Sequence, residues 1–159
     1  MDIEHNPNHY ILSQVLFDHK KAVRCLAIQD NMLFTGGVDN MMHLYTREDS
    51  TSKWALKHTY TFFGGWVLSI AFIPGGEYIV VGCQDKKIYL CSTEDPAHAH
   101  NCFEGHEGAV NCVRANEDKI FSGSWDATAK IWDLDSSDII ASLDRHNHAV
   151  TVCPIGKSE

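Results

Sequence analysis

The chain has 159 residues, 44% of them hydrophobic, and its 13 Lys and Arg against 21 Asp and Glu give a formal net charge of -8. That length is enough to bury one core and matches the scale of a single domain. The acidic balance argues against broad electrostatic capture of nucleic acid or an anionic membrane, and no apolar run approaches the ~20 residues of a membrane-spanning helix.

A short tail over residues 1–9 precedes "HYILSQVLF", which is predicted as an isolated outer strand. From His19 onward the chain falls into short β-rich segments. "AVRCLAI", "NMLFTGG" and "MMHLYT" are followed by an outer strand at "KHTYTFF". A second set reads "WVLSIAF", "EYIVVGC", "KIYLCS" and "HAHNCF", and a third reads "AVNCVRA", "KIFSGS", "TAKIWD" and "DIIASL". A last inner strand is predicted at "AVTVC", before a tail over residues 154–159. Gly, Asp, Asn and Pro punctuate the gaps, no helical period is sustained, and the inner segments are apolar on both faces, as strands sandwiched between neighbouring sheets are.

The sets are copies of one unit. "HKKAVRCLAIQDNMLFTGGVDNMMHLY" from His19 aligns without a gap on "HEGAVNCVRANEDKIFSGSWDATAKIW" from His106, matching Val23 with Val110, Cys25 with Cys112, Asp39 with Asp126 and Tyr45 with Trp132. A third copy aligns Val67 and Asp85, and a fourth starts at His146. The anchoring valines Val23, Val67, Val110 and Val150 recur at the ~40–45-residue period of four-stranded propeller blades.

Through "GHEGAV" and "GSWDATAKIWD" the sequence resembles the WD-repeat β-propellers. The resemblance implies an all-β, WD40-type fold with blades over about residues 19–63, 64–104 and 105–145 and the start of a further blade at 146–153, so that residues 10–153 form a partial propeller. It also implies a hydrogen-bonded tetrad in each blade. The third unit offers His106, Ser122, Asp126 and Trp132, and the first His19, Thr35, Asp39 and Tyr45 in the Trp place. The second keeps only Asp85, with Phe63, Val81 and Cys91 at the other places, and is expected to be held by packing. Losing all partners together can be nearly neutral, whereas leaving one buried and unpaired costs about 1–3 kcal/mol.

No catalytic set is visible. The resemblance gives His19, His106 and His146 a buried structural place, and the His98/His100 and His146/His148 pairs lack a third ligand at predictable reach, so neither a metal nor a cofactor is expected. Cys25 and Cys112 share one strand position and read as core residues. Six cysteines without a C-x-x-C pair, together with an N-terminus lacking a signal-like run, favour a reduced compartment, cytosol or nucleus.

Recognition of protein is the expected function. In WD propellers the residue before each turn Asp (Val38, Gln84, Trp125) points to the binding face, and the residue before each anchoring Val (Ala22, Trp66, Ala109) lies near the channel mouth. Trp66 and Trp125 are the favoured contacts because interface energy concentrates in aromatic anchors, with Lys20, Lys21, Arg24, Glu107 and Arg114 as a polar rim. The third unit's turn with "GCQDKKIYLCSTEDP" before it looks like the propeller of the phospholipase-A-activating-protein family, ubiquitin-binding adaptors of an AAA segregase, which implies ubiquitin or ubiquitinated protein as partner. A generic scaffold in signalling or ribonucleoprotein assembly and a non-functional fragment are the alternatives. Three blades do not close a ring, since propellers have four to eight. The expectation is therefore a piece of a longer propeller, or a short form that associates with itself or with a ring-completing chain.

Overall fold

The computed structural model describes residues 12–151. These residues form twelve strands in three four-stranded antiparallel sheets, each a meander in chain order. The first blade comprises β1 (Val23–Gln29), β2 (Met32–Gly37), β3 (Met42–Thr46) and β4 (Ala55–Tyr60). The second comprises β5 (Val67–Phe72), β6 (Tyr78–Cys83), β7 (Ile88–Ser92) and β8 (Asn101–Phe103). The third comprises β9 (Val110–Ala115), β10 (Lys119–Ser124), β11 (Ala129–Asp133) and β12 (Ile139–Leu143). No closed ring is formed by the described residues.

Two cores lie between the three blades. Phe34, Met42, Leu44 and Tyr60 of the first blade pack with Ile70, Ile79, Val81 and Cys91 of the second. Val80, Ile88, Leu90 and Phe103 of the second pack with Val113, Ile120 and Trp132 of the third. Alternate residues of β6 therefore enter different cores, Ile79 and Val81 on one side and Val80 on the other, because successive strand side chains point to opposite faces. That two-sided burial explains the unbroken apolar run "YIVV".

Neighbouring blades meet at one repeated joint. A Cβ added to Gly36 would lie 2.3 Å from Val67 Cγ1, one on Gly82 would lie 2.9 Å from the Val110 carbonyl oxygen, and one on Gly123 would lie 2.6 Å from Val150 Cγ1. Each anchoring valine thus sits on a strand glycine of the preceding blade. Cys25 Sγ donates to the Val67 carbonyl across the first joint, and Cys112 Sγ to the Val150 carbonyl across the third. Val23 is different: it is 51% exposed, as are Leu26 (65%) and Ile28 (57%) along the same strand.

Two predicted strands at the ends differ. Residues 12–17 of "HYILSQVLF" are not a strand. They are tied instead by one side chain, the Gln14 amide, which donates to the Trp54 carbonyl (2.7 Å) and accepts from the Trp54 N–H (2.8 Å). Residues 149–151 of "AVTVC" are also not a strand, although the Val150 N–H donates to the Ser124 carbonyl at 2.9 Å. The tails at 1–9 and 154–159 lie outside the described residues, as do positions 10, 11, 152 and 153.

Candidate recognition face

The polar networks that shape this face are built on the turn between the second and third strands of each blade. In the third blade His106 Nδ1 donates to Asp126 Oδ2 (2.7 Å), His106 Nε2 lies 2.7 Å from Ser122 Oγ, and the Trp132 indole N–H donates to that same hydroxyl (2.8 Å). Burial lowers the His106 imidazole and outweighs the nearby Asp126 charge, so the ring is neutral and Nε2 accepts the Ser122 proton. Burial alone would raise the Asp126 carboxyl, yet bonds from Thr128, the Glu107 N–H and His106 hold it far below the usual carboxylate range.

The first blade repeats half of this arrangement. His19 Nδ1 lies 3.0 Å from both Asp39 oxygens and Nε2 lies 2.8 Å from Thr35 Oγ1. Tyr45 departs from the Trp pattern, because its longer reach carries the hydroxyl to Asp18 Oδ2 at 2.9 Å.

The second blade corrects the expectation that packing alone holds it. The Tyr89 hydroxyl donates to Asp85 Oδ2 at 2.5 Å, while the Gly64 and Lys87 N–H groups donate to the same carboxylate. Phe63, at the His place, is 4% exposed and stacks edge-on to Tyr89 at 5.2 Å, and Val81 and Cys91 are fully buried. Tyr89 supplies from β7 the donor that the loop histidine supplies elsewhere. Positions two before the Trp place share its strand face, so a Tyr there was the available signal.

In each turn the carboxylate also accepts the N–H two residues on, namely Met41, Lys87 or Thr128. The residue between them takes a left-handed backbone: Asn40 (φ 61°), Lys86 (φ 76°) and Ala127 (φ 65°). The six candidate contact residues then fall into three backbone-bonded pairs. Val38 N–H donates to the Ala22 carbonyl (3.0 Å), Gln84 N–H to the Trp66 carbonyl (2.9 Å) and Trp125 N–H to the Ala109 carbonyl (2.9 Å). The structure thus places one pair per blade at matching positions.

Within the pairs, exposure separates the candidates. Trp125 is 49% exposed and Trp66 39%, Ala22 is exposed, and Val38 and Gln84 are half-buried. Ala109 is buried, which corrects its reading as a contact: its carbonyl faces Trp125 and its methyl is covered. Lys20, Lys21, Arg24 and Glu107 are exposed nearby, and Arg114 is half-buried. His146 is exposed, contrary to its expected structural place.

Burial pushes the Cys25 and Cys83 thiols up to about 12, so both stay protonated at neutral pH. One set of potential metal donors does assemble among the described residues, His19, Asp39 and His43. The sequence reading placed His19 and Asp39 in the tetrad but did not bring His43 beside them.

The model of the family "WD domain, G-beta repeat" matches residues 10–46, 55–92 and 98–133, three times across most of the chain. The chain is a WD40-repeat protein. Its second and third sequence repeats begin at or near an outer strand and end on the third strand of the next blade, so repeat and blade are offset by one strand. Among WD40 relatives, Protein DOA1 of Saccharomyces cerevisiae is 29% identical over 147 residues, which is 89% of this chain and 19% of that protein. The kinesin-like protein KIF21B of Homo sapiens is 27% identical over 72% of this chain and 7% of its own length. A ribosome biogenesis protein WDR12 homolog of Culex quinquefasciatus is 30% identical over 74% of this chain and 28% of its own. The crystal structure of the WD40 β-propeller domain of Doa1 superposes with a TM-score of 0.68 at 24% identity, covering 84% of this chain and 44% of that one. The chain therefore spans less than half the length of each of these relatives. The similarity to DOA1 agrees with the narrower resemblance to the phospholipase-A-activating-protein family.

Proposed function

We propose that this chain is part of a non-catalytic WD40 recognition scaffold of the cytosol or nucleus, whose face carrying Trp66 and Trp125 binds ubiquitin or a ubiquitin-tagged protein. The observation that carries the proposal is the exposure of these two indoles at the paired positions, which Val38, Gln84 and Ala22 share, on turns pinned by Asp85 and Asp126. Large aromatic groups on a preformed frame make strong contacts because little entropy is lost when they are covered. The ubiquitin assignment is supported by the resemblance to the phospholipase-A-activating-protein family and the similarity to DOA1. The uncovered valine, leucine and isoleucine of β1 support a further blade lying against that strand, from another part of the same protein or from a second chain.

The test is a calorimetric titration of ubiquitin into the chain, unchanged and as Trp125→Ala and Trp66→Ala. Saturable binding that weakens roughly tenfold or more on removing Trp125 is expected. Absence of any ubiquitin binding by the unchanged chain and by a closed propeller containing it overturns the ubiquitin assignment. The generic scaffold would then be favoured, in keeping with the relatedness to a ribosome biogenesis protein.

A further inference from the structure

The first blade differs from the other two at one position on its polar face. Two residues before the Trp place stand His43, Tyr89 and Lys130 in the three blades. In β3, Met42 and Leu44 point into the core shared with the second blade, so His43 points to the opposite face, beside His19. The two imidazoles meet edge to face with centroids 4.3 Å apart. His43 is 3% exposed; its Nδ1 lies 3.0 Å from Thr59 Oγ1, and its Nε2 has no hydrogen-bond partner among the described residues. A buried ring nitrogen without a partner is uncommon and calls for an explanation.

We propose that His19, Asp39 and His43 form a site for a divalent transition ion of the zinc class. Donor atoms of the three residues lie within 4.8 Å of one another, against the roughly 3.4 Å that separates ligands across a tetrahedral zinc with bonds of about 2.1 Å. A small rotation of the His43 ring toward the pair closes the set. Two imidazoles and one carboxylate are a donor set that suits zinc and its neighbours better than calcium or magnesium. The ion takes the place of the proton between His19 Nδ1 and the Asp39 carboxylate, and that proton passes to Nε2, which then donates to Thr35 Oγ1, so His19 ligates as a neutral imidazole. The Lys20 and Met41 N–H groups, which already donate to the carboxylate, remain to orient it. One ligand comes from the loop before β1, one from the β2–β3 turn and one from β3, so the ion would clamp the upper end of the first blade. The second and third blades lack the site, because Tyr89 and Lys130 supply no imidazole there.

Zinc is titrated against a chromophoric chelator into the whole chain, with the exposed His98, His100, His146 and His148 replaced by alanine as a common background. One equivalent is expected to bind, with a higher thermal midpoint, and affinity is expected to fall at least tenfold on His43→Tyr, which installs the second blade's residue. X-ray absorption at the zinc edge of the background chain reads the same site without touching His43, and two imidazoles with oxygen as the remaining ligands are expected. The site is overturned if the background chain binds no zinc, if folded His43→Tyr binds it as tightly, or if the edge shows sulfur or fewer than two imidazoles.

Discussion

The Tyr89 hydroxyl donates to Asp85 Oδ2 at 2.5 Å, the same carboxylate position that receives an imidazole Nδ1 from His19 at Asp39 and from His106 at Asp126. All three turns satisfy their aspartate with a side-chain donor and the N–H of the residue just after the loop position, Lys20, Gly64 or Glu107, and Asp126 takes the Thr128 hydroxyl as well. The donor can come from the loop or from the third strand, provided that it reaches the carboxylate.

Tyr89→Phe is therefore expected to destabilise the chain by about 1.5–3 kcal/mol, the range for a hydrogen bond to a charged partner. Burial and the Asp85 contact both raise the Tyr89 phenol, so it remains a donor throughout the neutral range. Urea unfolding of Tyr89→Phe, Asp85→Asn and the double variant provides the check. A coupling energy near zero would mean that the pair acts as two independent side chains.

The fold was legible where the unit repeats. The anchoring valines, turn aspartates and first three strands of the first and third blades stand where the alignment of His19–Tyr45 on His106–Trp132 puts them. What was not legible depends on distances across strands. The spacing puts Tyr89 on the strand face of the Trp place, but that it reaches Asp85, and that Tyr45 turns to Asp18, depends on the tilt and reach of a particular side chain. Ala109 looked equivalent to Ala22 in sequence, but the two differ in exposure. Gln14 shows the opposite failure: a β-rich run reads as a strand, yet a single amide satisfies the backbone of Trp54 in place of a ladder.

Ser122 is the centre of the third blade's network, donating to His106 Nε2 and accepting from the Trp132 indole while itself 1% exposed. Ser122→Ala leaves two buried nitrogen atoms unpaired. The expected loss is about 2–4 kcal/mol by thermal or urea unfolding, at one to three kcal/mol for each orphaned group less partial relaxation. Thr35→Ala in the first blade is expected to cost less, because the Tyr45 hydroxyl keeps its Asp18 partner. Equal losses at the two sites would show that the indole bond adds nothing.

Acid should weaken the chain in two stages. Burial lowers both His43 and His106 below the ordinary imidazole value of 6.5. The unfolded chain thus takes up protons on these rings at a pH where the folded chain does not, and stability falls as pH drops through about 6.5. Asp39 and Asp126 are held low by their hydrogen bonds against the opposing effect of burial, so a steeper loss begins below about pH 4, where unfolded carboxylates protonate first. Urea midpoints from pH 8 to pH 3 at constant ionic strength measure both limbs. A flat profile between pH 7 and pH 5 would contradict the neutral, buried state of the two rings.

The joint between blades makes a separate and sharper prediction. A Cβ at position 82 would stand 2.9 Å from the Val110 carbonyl oxygen and 3.1 Å from Val110 Cγ1 and Val113 Cγ1, so backbone of the third blade has to move before alanine fits. Gly82→Ala is expected to cost about 1–3 kcal/mol, the range for overpacking a tight contact. Gly75→Ala is a useful contrast, because there a Cβ meets nothing within 4 Å and the strain lies in the backbone alone, at φ 100°. Because the defect at Gly82 separates the second blade from the third while leaving each sheet's own ladder intact, hydrogen exchange should quicken at Val110–Ala115 before Val67–Phe72. Uniform quickening of both strands would instead mean that the three blades unfold as one unit and that the joint is no weaker than the sheets it connects.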